Sequence, residues 1–256
     1  VREIAKQAGQ FIKSELNRFN ESDIVVKDFN SLVSYVDIEA EKLIVNGLKE
    51  LIPDAGFVTE EETIETTAKK ELNWIIDPLD GTTNFMHGLP YFSVSIALRE
   101  NDKYVLGVVY DIMHDVLFEA VKGNGARANG KPIHVTKEAQ LSNAVLATGF
   151  PYNSFDWMER YLNLFRELFQ KTRGIRRFGS AALDLCYVAR GNFASFYEYG
   201  LSEWDVAAGI CIVEEAGGQV CDFSGGTNMI PGKTIIASSG KLHGEILQII
   251  QKHFER

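Results

Sequence analysis

Trp74-Ile75-Ile76-Asp77-Pro78-Leu79-Asp80-Gly81-Thr82-Thr83-Asn84-Phe85 is the most informative stretch of this chain of 256 residues. Trp74-Ile75-Ile76 is a continuous apolar run, which reads as a buried strand. Asp77 leaves the end of that strand at Pro78, which cannot continue a sheet ladder because it has no N–H. Asp80 follows at a spacing where two carboxylates can converge around a turn. Gly81-Thr82-Thr83 then supplies flexible backbone and two hydroxyls where a helical turn can start, an arrangement that binds anions. A pair of carboxylates beside a phosphate cradle repels the phosphate unless cations lie between them, so the stretch has the makings of a divalent metal site. Taken alone, Asp77 to Gly81 is more simply a turn with an Asp cap. An EF-hand is excluded, since its D-x-D-x-D-G ladder and terminal Glu are missing.

Two acidic segments elsewhere shift the balance. Thr59-Glu60-Glu61-Glu62 leaves a short strand and is by default a solvated acidic loop. Glu203-Trp204-Asp205-Val206-Ala207-Ala208-Gly209 places an Asp at the start of an apolar helix, where capping is the default explanation. Together they give three acidic strand or helix termini, widely separated in sequence, and Mg²⁺ takes such oxygen ligands.

Around these motifs the pattern is mixed. Apolar residues at helical spacing predict helices over Ile4 to Leu16 and Val36 to Leu51, with a short apolar run and turn residues, Ile24 to Asn30, between them. A strand is expected at Gly56 to Val58 and an acidic polar loop from Glu60 to Glu71. From Phe92 to Val121 the period becomes two, which predicts an antiparallel meander turning at Asn101-Asp102. Gly123 to Gly130 reads as a turn, because no Lys-Ser/Thr follows as a phosphate loop requires. Beyond residue 140 the expectation is strands at Ala144–Ala147, Ile175–Phe178, Phe193–Tyr197, Gln219–Cys221 and Thr234–Ala237. Helices are expected at Trp157–Phe169, Ala181–Ala189, Asp205–Ala216 and Leu242–Phe254. An α+β half, 1–140, carrying most of the acidic motifs, and an α/β half, 141–256, carrying Asp205, then form one compact unit, with no repeat or Pro/Ser-rich linker between them.

Composition narrows the function classes. Lys and Arg number 26 and Asp and Glu 35, a formal charge of −9, with 45% hydrophobic and 24% charged residues, an ordinary soluble globular profile. The absence of a Lys/Arg block argues against a nucleic-acid binder. No window reaches the run of about eighteen apolar residues that a membrane helix needs, and Val1 to Ala5 lacks a signal-peptide pattern. Cys186, Cys211 and Cys221 form no C-x-x-C pair and read as buried thiols of a cytoplasmic protein. His87, His114, His134, His243 and His253 show no ligand spacing, and no Ser/His/Asp or Cys-based nucleophile motif stands out.

With these residues in view, the chain resembles the inositol monophosphatase family, whose members carry D-P-[IL]-D-G-T-T-N-F and a later W-D-x-A-A-G. Both are present, at Asp77 to Phe85 and Trp204 to Gly209. The likeness extends to Lys27 through Asp37, Glu60-Glu61, Gly149-Phe150-Pro151-Tyr152, Gly179-Ser180-Ala181-Ala182, Glu198, and Glu214 to Gly218 with Asp222. The wording is most similar to bacterial members. Thr59 departs from it, where many members have Gly, and the interval from Lys27 to Asp37 is one residue shorter than in some members, which leaves Lys27 without an assigned role.

The resemblance implies a layered αβαβα sandwich of the inositol monophosphatase and fructose-1,6-bisphosphatase type. It implies a homodimer and Mg²⁺-dependent, lithium-sensitive hydrolysis of a small phosphorylated polyol, with two or three Mg²⁺ per site. Carried over, Glu60, Asp77, the Leu79 carbonyl, Asp80 and Asp205 are the metal ligands. Thr82, backed by Asp37 and near Glu60, orients the attacking water. Gly81, Thr82 and Thr83 hold the phosphate, and Gly179, Ser180, Ala181 and Glu198 line the alcohol pocket. Within the same superfamily, fructose 1,6-bisphosphate, an adenosine bisphosphate or NADP are alternative substrates. A non-catalytic binding protein on this fold is the alternative from another class. Arg173, Arg176 and Arg177, the one notable basic cluster, read as a solvated strand end, with a substrate or subunit contact as the second reading.

Overall fold

The computed structural model describes residues 1–16, 18, 24–28, 31–64, 70–151 and 155–254. Helix α1 (Arg2–Glu15) leads through strands β1 (Ile24–Asp28) and β2 (Ser31–Ser34) to α2 (Tyr35–Leu51) and β3 (Gly56–Thr59). Then come β4 (Leu72–Asp80), α3 (Thr82–Met86), β5 (Ser93–Glu100), β6 (Lys103–Asp111), β7 (Val116–Val121), β8 (Ala126–Ala128) and β9 (Lys131–Pro132). The rest of the chain is β10 (Val145–Thr148), α4 (Met158–Lys171), β11 (Gly174–Arg176), α5 (Ala181–Ala189), β12 (Ser195–Tyr199) and α6 (Glu203–Glu215), followed by β13 (Gly218–Cys221), α7 (Met229–Gly232), β14 (Thr234–Ser239) and α8 (Gly240–Phe254).

The strands form a β1–β2 hairpin and two mixed sheets. One sheet has the order β3-β4-β5-β6-β7-β8-β9, with β3 parallel to β4 and the rest antiparallel. The other has the order β11-β10-β12-β14-β13, with β10 parallel to both β11 and β12. Three cores bind the layers. Ala5, Ala8 and Ile12 of α1 and Val36, Ala40, Ile44 and Leu48 of α2 pack on one face of the first sheet. Helices α5 and α6 fill the space between the sheets, and α4 and α8 cover the far face of the second sheet through Tyr161, Leu164, Leu168, Leu242, Ile246 and Ile250. The result is the five-layer αβαβα arrangement.

Periodicity explains which helices lie where. A helix apolar on one stripe covers an outer sheet face, and one apolar all round belongs in the middle. In α5 every residue but Tyr187 is buried, and α6 is buried from Val206 to Val213. Backbone contact lets α6 come this close: a Cβ on Gly107 of β6 would lie 2.5 Å from the Ala208 carbonyl oxygen. Glycine in a strand marks such an approach.

Most expected elements form within a few residues of their expected limits. Three differ. Strand β4 does not end at Asp77 but runs through Pro78 to Asp80, because an extra residue between Asp77 and Asp80 makes a β-bulge, where a proline needs no ladder partner. Gly123 to Gly130 is not a single turn, since Ala126–Ala128 pairs with β7 and extends the sheet. Strand β12 starts at Ser195 and ends at Tyr199, two residues later than expected, which puts Glu198 inside the strand. The Asn101-Asp102 turn is a two-residue hairpin with Asn101 at φ +53°.

If backbone approach at Gly107 sets the spacing between sheet and helix, Gly107→Ala should lower the unfolding free energy by about 1–3 kcal/mol, the usual cost of overpacking. Urea titration reads it, and an unchanged midpoint would refute the close contact.

Candidate active site

Local rules bring each acidic side chain to one place. In an unbroken strand residues 77 and 80 face opposite sides. The bulge inserts one residue, so that Asp77 pairs with Ser95 and Asp80 with Ser93, and both carboxylates turn to the same cleft. Glu60 follows β3, which is parallel to β4, and so emerges at the same end of the sheet. Its loop is pinned from α2: the fully buried Glu41 carboxylate accepts from Glu61 N (2.7 Å), Thr63 N (2.8 Å) and Thr63 Oγ1 (2.7 Å). Asp205 comes from the first turn of α6, where it closes a capping box by accepting from Ser202 N at 2.6 Å. Arg99 pairs with Glu203, and the Tyr104 hydroxyl donates to it at 3.0 Å, which ties that helix end to the first sheet.

These pieces line a cleft of about 520 Å³ at the carboxyl ends of parallel strands, the usual place for ligands in sheets of this kind. Glu60, Asp77, Leu79, Asp80, Gly81, Thr82, Thr83, Gly179, Ser180, Ala181, Glu198 and Asp205 all line it. Asp37 does not. It sits behind Thr82, 1% exposed, as the capping-box residue of α2. Its Oδ2 accepts from Ser34 N (2.9 Å) and Ser34 Oγ (2.6 Å), and its Oδ1 lies 3.0 Å from Thr82 Oγ1. The Thr82 hydroxyl is also 3.0 Å from the Leu79 carbonyl oxygen, and its one proton serves one acceptor at a time. Gly81, at φ +100°, caps the five-residue helix α3, whose first amides have no acceptor within the helix.

Ser180 and Ala181 are placed at the cleft but engaged with Asp80. Asp80 Oδ2 accepts from Ser180 Oγ (2.6 Å) and Ala182 N (2.7 Å), and Oδ1 from Ala181 N (3.3 Å). The amino end of α5 is thus docked on a carboxylate, as the helix dipole favours. Glu198 is 7% exposed, and among the described residues none donates a hydrogen bond to its carboxylate.

The basic cluster divides. Arg177 lines the cleft, whereas Arg173 bonds the Asn143 side chain and Arg176 the Ile175 carbonyl, both at the exposed surface. Lys233, Asp184, Thr148, Gly149 and Pro151 also line it and had no role in the sequence reading. For Lys233 no local signal existed, since it arrives from the far end of the chain in a left-handed conformation, φ +49°. The Lys27 side chain and Tyr152 lie outside the described residues.

Burial and crowding raise every acidic pKa here. Burial first, then Asp205 and Glu61, hold Glu60 well above the carboxylate range, and burial with Glu60, Asp80 and Asp205 does the same to Asp77. Burial pushes Asp205 up to about 7, with Asp80 adding to it and the Ser202 amide and Lys233 opposing. Asp80 rises to about 6 through burial, against the hydrogen bonds from Ser180, Ala182 and Ala181. Asp37 is also raised by burial. Among the described residues no three His, Cys, Asp or Glu side chains already close around one point. The donor set nonetheless fits Mg²⁺: every candidate ligand is a carboxylate or carbonyl oxygen, and the carboxylates raise one another's pKa as charges short of a cation do.

Comparison with known proteins places the fold. The sequence model of the inositol monophosphatase family matches residues 1–255. A Pseudomonas aeruginosa protein named Nus factor SuhB is 42% identical over 253 residues, covering 97% of this chain and 93% of its own. The crystal structure of the extragenic suppressor protein suhB from Bartonella henselae superposes with a TM-score of 0.91 at 39% identity, covering 98% of this chain and 96% of that one. The inositol monophosphatase from Anabaena gives 0.86 at 35% identity, with 98% and 93% covered.

A raised carboxylate pKa disfavours the ionised fold. The unfolded chain, with Asp near 3.9, releases its protons first, so the penalty from Asp80 and Asp205 is absent below about pH 4, grows as pH rises and is complete above their folded values of about 6 and about 7. The metal-free protein should therefore melt at a lower temperature at pH 7.5 than at pH 5.5. Asp205→Asn should shrink that difference, and Mg²⁺ should raise the melting temperature most at pH 7.5. Thermal scans check this; wild type and Asp205→Asn falling alike with pH would contradict it.

Proposed function

The chain belongs to the inositol monophosphatase family, and from that premise we propose that it is a Mg²⁺-dependent phosphatase hydrolysing inositol monophosphate or a related small polyol phosphate monoester. The carrying observation is the cluster of Glu60, Asp77, Asp80 and Asp205, each with its pKa raised, at the wall of a cleft that also holds Thr82 with Asp37 behind it. Mg²⁺ bound there supplies positive charge to the phosphoryl oxygens and the leaving alcohol and lowers the pKa of the attacking water.

The chain's own groups do the rest. When the Thr82 hydroxyl donates to Asp37 Oδ1, its lone pairs face outward and accept a hydrogen bond from water, which fixes the direction of attack. Asp37, made more basic by burial, receives the proton through that hydroxyl. The first amides of α3 offer donors to the phosphate. Glu198, to which no described residue donates a hydrogen bond, offers its carboxyl group to substrate hydroxyls.

A substrate panel tests this. Phosphate release should be fastest on inositol monophosphate, slower on fructose 1,6-bisphosphate, an adenosine bisphosphate and NADP, and abolished by chelator. Asp205→Asn should lose most turnover while keeping the fold. No release from any substrate at saturating Mg²⁺ would favour the non-catalytic alternative.

The relay has its own test. Thr82→Ala removes the hydroxyl but no carboxylate, so kcat should fall by roughly 10²–10⁴-fold, the range of general acid–base catalysis, with the Mg²⁺ requirement nearly unchanged. Because Asp37 acts through Thr82, losses in Thr82→Ala and Asp37→Ala should be far from additive. Full additivity would break the shared path.

A further inference from the structure

Gly149 follows β10 directly and stands beside Glu198 of β12, the parallel neighbour of β10 through the pair Thr148 and Tyr197. A Cβ at Gly149 would stand 2.1 Å from Glu198 Oε2 and 2.2 Å from Oε1 and Cδ. The backbone there is not left-handed, so conformation does not call for glycine; the room does. The two strand exits face one another again one step on, where a Cβ on Gly200 would come 2.9 Å from Pro151 Cβ.

The backbone that carries Glu198 is fixed. Thr148 Oγ1 donates to the Tyr197 carbonyl at 2.8 Å, the Tyr161 hydroxyl reaches it at 3.1 Å, and β14 pairs along the other edge. The carboxylate is not fixed by hydrogen bonds, since among the described residues none donates to it. The charges of Arg177 and Asp184 act on it from the cleft walls, and steric room over Gly149 is the contact that bounds its place.

We propose that Gly149 is a positioning residue for substrate selection: its missing side chain lets the Glu198 carboxylate stand where it meets the hydroxyls of a polyol monophosphate. This rests on the reading of Glu198 as the group that recognises the alcohol. A methyl at 149 collides with the far end of a flexible side chain, not with backbone as at Gly107. The carboxylate therefore moves at little cost in stability, and the effect falls on recognition.

The test uses the full chain with Mg²⁺ and compares inositol monophosphate with an aryl phosphate that lacks the hydroxyls. Gly149→Ala should lower the ratio of their kcat/KM values roughly tenfold, mainly through KM for inositol monophosphate, with an unchanged melting temperature. In a Glu198→Ala background, Gly149→Ala should have no further effect on that ratio. Glu198→Asp, one methylene shorter, should restore part of the ratio in the Gly149→Ala chain, a readout that survives even if that chain is destabilised. Equal loss on both substrates in Gly149→Ala, or a further loss in the Glu198→Ala background, would overturn the proposal. If Glu198→Ala by itself leaves the ratio unchanged, the reading of Glu198 fails, and the role of Gly149 with it.

Discussion

One extra residue in β4 sets the terms for the whole site. Without the bulge between Asp77 and Asp80, the two carboxylates would face opposite sides of the sheet, one toward α1 and α2 and the other toward the central helices. With it, both face one cleft, and a buried concentration of negative charge follows. Much of the surrounding structure answers that charge. The amino end of α5 docks three donors on Asp80, Arg177 and Lys233 approach from the walls, and Glu41 holds the Glu60 loop from behind. What remains uncompensated shows as raised pKa values, and it is the part a divalent cation can neutralise.

The same short device appears twice. Ser34-Tyr35-Val36-Asp37 and Ser202-Glu203-Trp204-Asp205 both start helices with a serine whose amide is bonded by an Asp three residues on. In each case Oδ2 serves the helix and leaves the other oxygen for a different partner, Thr82 in the case of Asp37. Capping and chemistry are therefore not competing explanations for these residues. A carboxylate locked by a cap has lost most of its rotamer freedom, and that pre-orders it for work at the cleft. Substituting either Asp weakens a cap worth about 1 kcal/mol as well as the site, so activity and stability have to be measured together.

The layers explain how pieces so distant in sequence meet. Helices α5 and α6 are apolar nearly all round and can be satisfied only between two sheets. Once they are there, their amino ends lie beside the carboxyl ends of β4, β10 and β12, since all line one cleft. The close approach at Gly107 brings α6, and with it Asp205, against the sheet that carries Asp77. The core and the cleft are two consequences of the same packing.

The sequence by itself determined the types of most elements, the all-round apolar character of the central helices and the identity of the acidic motifs, because periodicity and short-range chemistry are local, and it missed β8 between the glycines. Through its likeness to a family, it also pointed to which distant motifs belong together. It misplaced the end of β4, since a proline reads as a stop unless the partner strand reveals a bulge, and the start of β12 slipped by two residues because the Gly191-Asn192 turn carries on as a bend through the apolar Phe193 and Ala194. Only the tertiary structure decided that Arg177 turns into the cleft while Arg173 and Arg176 do not, that Lys233 reaches it from the far end of the chain, and that Gly149 lies under Glu198. Those are contacts between strands and loops tens of residues apart, and no local pattern encodes them, because what selects each residue is the space and charge its neighbours leave after folding.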